Sequence, residues 1–182
     1  MIGKKNVAFG FLYLVLTAVL GPYMVANVLP GVDKAREEKQ APLSRLQELK
    51  ENNYEENLQK LPVDAVGQAN TDGVLALNKA FNAQAEVSFP RSIHAHGNLE
   101  SILNIVAGLA LCFIAVSRLF KQLISWLFIL GALLHSGMLY LLYLGQGWAG
   151  NLLLLGPWTV LAALLLLGIA TIMGFKAEIV KD

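Results

Sequence analysis

The sequence predicts an all-α integral membrane protein: a four-helix bundle with a small helical extracytoplasmic insert between its first and second transmembrane helices. Three observations predict it. Only 15% of the residues are charged, 55% are hydrophobic and the mean hydropathy is +0.54, far from the roughly 25% charged composition of soluble domains. Residues 6–29, 102–117 and 123–175 are nearly free of charge, and a helix needs about 20 such residues to cross about 30 Å of hydrocarbon. The cations also sort by side: Lys4, Lys5, Arg118, Lys121, Lys176 and Lys181 all fall on one side if four spans alternate.

Transmembrane helix 1 is expected in residues 1–30. Lys4 and Lys5 before VAFGFLYLVLTAVL resemble the start of a secretory signal. The apolar character continues beyond Gly21-Pro22 through YMVANVL with no small-x-small cleavage site, so the segment reads as a retained anchor. Residues 31–91 form the insert, where acids accompany the basic residues; so long a loop is translocated largely regardless of its charge. Within it, Leu43, Leu46, Leu49, Leu58 and Leu61 predict one apolar stripe on a charged helix ended by Pro62. A second helix is expected from the capping pair Thr71-Asp72 through Gln84, with Val74, Leu77 and Phe81 facing a partner. The charged faces are either solvated surface or a docking site for a soluble partner.

Residues 92–120 and 121–145 are expected as transmembrane helices 2 and 3. The break at GQGWAGN separates these from helix 4 at 148–175, and 176–182 is a cytoplasmic tail. Both termini are then cytoplasmic, and a bacterial inner membrane is the expected location. A net charge of +1 excludes the basic footprint that nucleic-acid binding requires. Cys112, the single cysteine, reads as a small packing residue.

The informative residues are polar ones inside spans, where each is costly and faces the bundle interior. The stretch RSIHAHGNLESILN carries His94, His96, Glu100 and Asn104; the third span carries His135, Ser136, Tyr140 and Tyr143. At about 100° per residue His96, Glu100 and Leu103 share a face, and His94 points almost the opposite way. Counted from the inner boundary at about 1.5 Å per residue, His135 is level with Asn104, and His96 lies roughly 12 Å above both. Zinc spacings and hydrolase motifs are missing. Haem needs only one axial histidine and an apolar slot, which a helical bundle supplies; the separation of His96 from His135 disfavours a bis-histidine site. Asn104 and Ser136 could equally be interhelical hydrogen-bond glue.

The layout resembles the membrane-bound styrene oxide isomerases. The resemblance rests on RSIHAH, Leu103-Asn104, HSGMLY ending in Tyr140, and the fourth span with Pro157, and covers residues 91–175. It implies ferric haem b in a trimer, with the iron as a Lewis acid that takes an epoxide oxygen; ring opening to a benzylic cation and a hydride shift then give an aldehyde. It also implies His96 as axial ligand, with His94 as the alternative because the interval to Leu103-Asn104 is longer here, and Asn104 and Tyr140 as groups orienting the epoxide. Glu100 and His135 complete the expected haem-binding set.

The expected function is therefore a haem b-binding membrane protein and candidate epoxide isomerase, a homo-oligomer taking a lipophilic small molecule from the bilayer. A non-catalytic haem electron carrier or sensor and a structural subunit of a membrane complex are the alternatives.

Overall fold

The computed structural model describes residues 1–180; Lys181 and Asp182, the end of the expected tail and one of the cations used for orientation, lie outside the described residues. The chain starts with α1 (Gly3–Ala18) and α2 (Leu20–Tyr23), a π-helical turn (Met24–Val28), then α3 (Leu29–Glu38) and α4 (Gln40–Glu51). A two-residue hairpin, β1 (Glu55–Glu56) and β2 (Gln59–Lys60), leads into α5 (Val63–Leu111). There follow α6 (Arg118–Ala132), a second π turn (Leu133–Gly137), α7 (Met138–Tyr143), a 3₁₀ turn (Gly147–Asn151) and α8 (Leu155–Gly174).

Among the described residues three helical runs are long and apolar enough to cross a membrane: Gly3–Glu51, Arg118–Tyr143 and Leu155–Gly174. The second expected span lies on α5, whose apolar end is diluted by the histidines, asparagines and glutamate of HAHGNLESILN, and it is not one of the three.

By internal packing the chain divides into two compact units, Met1–Pro22 with Phe89–Asp182, and Tyr23–Ser88. In the first, Ala107 and Leu111 of α5, Ile124 and Phe128 of α6, and Ala163 and Ala170 of α8 form one buried cluster. Hydrocarbon outside a helix pair removes the hydrophobic drive for pairing, so helices associate where small residues let backbones approach. The pairing of α1 with α5 follows this rule: Gly3 lies on the backbone of Gly108, and a Cβ on Gly108 would come 2.6 Å from the Gly3 carbonyl.

α5 ends at Leu111, well short of the expected boundary at residue 120. Residues 112–117 leave the helix and pair with the chain beyond α8. The Ala115 amide donates to the Gly174 carbonyl (2.7 Å), Lys176 to Phe113 (2.8 Å) and Val180 to Cys112 (2.8 Å). Ser117 then caps α6, its side chain accepting from the Phe120 amide at 3.3 Å. Cys112 is half-buried in this segment, its thiol on the Gly108 carbonyl.

The second unit corrects three local expectations. α4 stops at Glu51 rather than at Pro62, because Asn53, Tyr54, Asn57 and Leu58 adopt positive φ, which ends helical hydrogen bonding. The stripe holds through Leu49, which is buried, but Leu58 is 96% exposed. The following helix begins at Val63, directly after Pro62, and Thr71 bonds back to the Gly67 carbonyl within it instead of capping it. Val74, Leu77 and Phe81 are exposed; α4 packs instead through Leu46 onto Gly73, and Val87 joins Met24 and Val32 in a small core. Salt bridges link Lys79 to Glu38 and Arg45 to Glu56.

Positive φ costs a residue with a Cβ roughly 1–2 kcal/mol. Leu58 meets that cost at φ 64° and its side chain is solvated. Leu58→Gly is expected to stabilise the Tyr23–Ser88 unit by about 0.5–1 kcal/mol, after the extra unfolded-state entropy of glycine. Slower amide exchange across 52–62 would report the gain, and faster exchange would refute it.

Candidate functional site

The site is assembled where α5 faces the π turn at Leu133–Gly137, between α6 and α7. Glu100 is only 4% exposed. One carboxylate oxygen accepts from His135 Nδ1 at 2.6 Å; the other accepts a short hydrogen bond from Ser136 Oγ. Because the single Ser136 proton is directed at the carboxylate, the Tyr13 hydroxyl, 2.9 Å away, is the donor to Ser136. Two adjacent residues reach one carboxylate because a π turn is wider than an α-turn and reorients successive side chains. The Ala132 carbonyl at its start lies within reach of both the Tyr13 and Ser136 hydroxyls.

Above this core the His96 ring lies against the His135 ring, with centroids 4.6 Å apart and planes tilted by 53°. His96 is exposed, and among the described residues no hydrogen bond to it is found. Gly156 of α8 backs His135 closely, leaving no room for a Cβ.

The expected depths are corrected here. His135 is not level with Asn104, nor roughly 12 Å below His96 as helical rise would give; it pairs with Glu100 and touches His96. The count assumed helix up to Arg118, but 112–117 are not helical, so every height on α5 was overestimated.

Asn104 sits deeper, fully engaged: its amide donates to the Glu100 carbonyl (3.0 Å) and the Phe128 carbonyl (3.1 Å), and its oxygen accepts from Asn6 Nδ2 (3.0 Å). Asn6 also donates to the Ser125 carbonyl at 2.9 Å and accepts a short bond from the Ser125 hydroxyl. Asn104 thus joins three helices and is buried, with both amide protons and one lone pair of its oxygen engaged. His94 faces α1, its Nδ1 donating to the Thr17 carbonyl at 3.0 Å and its ring lying on Gly21; Thr17 in turn donates to Asn98 at 2.8 Å. Tyr140 is half-buried one turn beyond Ser136, outside the Glu100 cluster. Nearer the expected inner boundary, Lys5 donates to Gln122 at 2.6 Å and lies over the Trp126 ring, and Lys121 is buried rather than marking a boundary.

Sequence reasoning missed Asn6, Tyr13 and Ser125 as members of the polar core. The available signal was the 3-4-3-4 spacing of Gly3, Asn6, Gly10, Tyr13 and Thr17, the buried face of α1.

The donor set bears on which metal group fits. Among the described residues no three His, Cys, Asp or Glu side chains converge as a cage. A bare ion needs several protein ligands, whereas haem brings its own four nitrogens and asks for one imidazole. Two axial imidazoles bound at about 2 Å on opposite faces of one iron would have ring centres roughly 6 Å apart. At 4.6 Å the rings touch each other instead, so as arranged they offer one ligand and a neighbour. The residues fit a singly ligated haem.

Fold and site together define a helical protein with membrane-length apolar segments and a buried carboxylate–imidazole centre. Compared with family models, curated proteins and solved structures, the chain matches none.

Proposed function

We propose that the chain is a four-span membrane protein that binds haem b at the edge formed by His96 and His135, in a bacterial inner membrane with both termini cytoplasmic and residues 31–91 outside. One observation carries the reading: an exposed imidazole lies tilted against a second imidazole that is anchored to a buried carboxylate. Polar groups facing lipid are costly, and a metal group or a second subunit relieves that cost. A homo-oligomer, a trimer by the resemblance, would place the exposed edge at a seam between copies.

When bound, ferric haem would supply Lewis acidity toward an oxygen of a lipophilic substrate drawn from the bilayer, and epoxide isomerisation to an aldehyde is the candidate reaction. The chain's part would be to orient the imidazole through Glu100, Ser136 and Tyr13, and to exclude water from it. Asn104 would act as an interhelical link beneath the site, which leaves Tyr140 as the remaining candidate to touch substrate.

Purified protein is expected to show a Soret band, and to convert styrene oxide to phenylacetaldehyde without added reductant. Colourless protein that cannot take up haemin would remove the reading in favour of a structural subunit. Coloured protein without isomerase activity would leave an electron carrier or sensor.

A further inference from the structure

We infer that His135, rather than His96, is the imidazole that takes the iron, with Glu100 as its positioning residue; this rests on the haem reading above. Histidines that hold metals almost always donate their other ring nitrogen to a carboxylate or carbonyl, which fixes the tautomer and the ring plane. His135 meets that condition: Nδ1 donates to Glu100 at 2.6 Å, so Nε2 is left as an unprotonated donor nitrogen. The carboxylate is itself held, since Ser136 donates to its second oxygen and Tyr13 donates to Ser136. The backbone that carries the ring is held as well, because Gly156 packs against the His135 N, Cα and Cβ.

The other two histidines lack one feature each. His94 also donates Nδ1 to a carbonyl, that of Thr17, but its Nε2 is covered by the Asn98 amide at 3.4 Å and by Gly21 of α2, so no free nitrogen is presented. His96 is exposed, and among the described residues its one ring or hydrogen-bond contact is the tilted His135 ring. Nothing fixes its tautomer or rotamer, so it can swing aside to uncover the His135 nitrogen. It would then stand beside the bound group rather than on its iron.

The test uses the full chain in detergent with haemin added. His96→Ala should keep the Soret band. His135→Gly should lose it and regain it on addition of free imidazole, which fills the space left by the ring; this rescue separates lost ligation from lost folding. Glu100→Gln keeps an acceptor for Nδ1 but removes the charge, so haem should still bind, with the iron–histidine stretch at lower frequency and the midpoint potential more positive. Loss of the band in His96→Ala, or its retention in His135→Gly without imidazole, would overturn the assignment. An unshifted stretch and potential in Glu100→Gln would overturn the role of the carboxylate. A wild type that stays colourless in haemin would overturn the haem reading itself, and the assignment with it.

Discussion

Glu100→Ala is expected to cost about 1–3 kcal/mol, the range for leaving a buried hydrogen-bond donor without its acceptor. The carboxylate is the shared acceptor for His135 and Ser136, so its loss leaves the part-buried imidazole N–H without its partner and the Ser136 hydroxyl with only the Ala132 carbonyl at 3.3 Å. Glu100→Gln should recover much of the loss, since the amide retains an acceptor oxygen. Thermal denaturation of the two variants in one detergent checks this: equal melting temperatures for wild type and Glu100→Ala would show that the cluster contributes nothing to stability.

Gly108→Leu should do comparable damage by a different route. Its Cβ would be 2.6 Å from the Gly3 carbonyl and 2.8 Å from Val7, and the neighbouring atoms on α1 include backbone, which cannot rotate away. Overpacking of a closed contact costs about 1–3 kcal/mol and occasionally more, and here the remaining methyl groups must also be placed. The expected result is separation of α1 from α5, read as loss of monodisperse protein on gel filtration. Gly168→Leu is the control, because a Cβ there meets nothing; if both variants behave alike, the α1–α5 contact is not close.

The residues explain what could be read in advance. Long apolar runs announce themselves because lipid crossing demands length and hydropathy together, so the segments around Gly3–Ala18, Arg118–Tyr143 and Leu155–Gly174 are visible in composition alone. What packs against what is harder. In a soluble helix the apolar stripe marks the buried face, but on α1 the buried face is Gly3, Asn6, Gly10, Tyr13 and Thr17, while Phe11, Leu12 and Val15 are exposed. The rule is inverted, and Asn6 and Tyr13 were overlooked for that reason. Glu100 and His135 were legible as costly residues but their pairing was not. It depends on α5 ending at Leu111 and on the π turn at Leu133–Gly137, and neither leaves a periodicity in the sequence. The helix stop at Asn52–Asn53 is a similar case: four consecutive or near-consecutive positive φ values were hidden among residues that include Tyr54 and Leu58, which seldom adopt them.

The backbone pairing between residues 112–117 and the chain after α8 has a consequence for biosynthesis. Cys112, Phe113 and Ala115 obtain their partners from Gly174, Lys176 and Val180, which are translated only after α6, α7 and all but the end of α8. Until then the join between α5 and α6 has carbonyls and an amide answered only by water. These hydrogen bonds therefore form late, and a chain truncated after residue 174 would keep only the Ala115–Gly174 bond of the three, leaving the join between α5 and α6 open to protease.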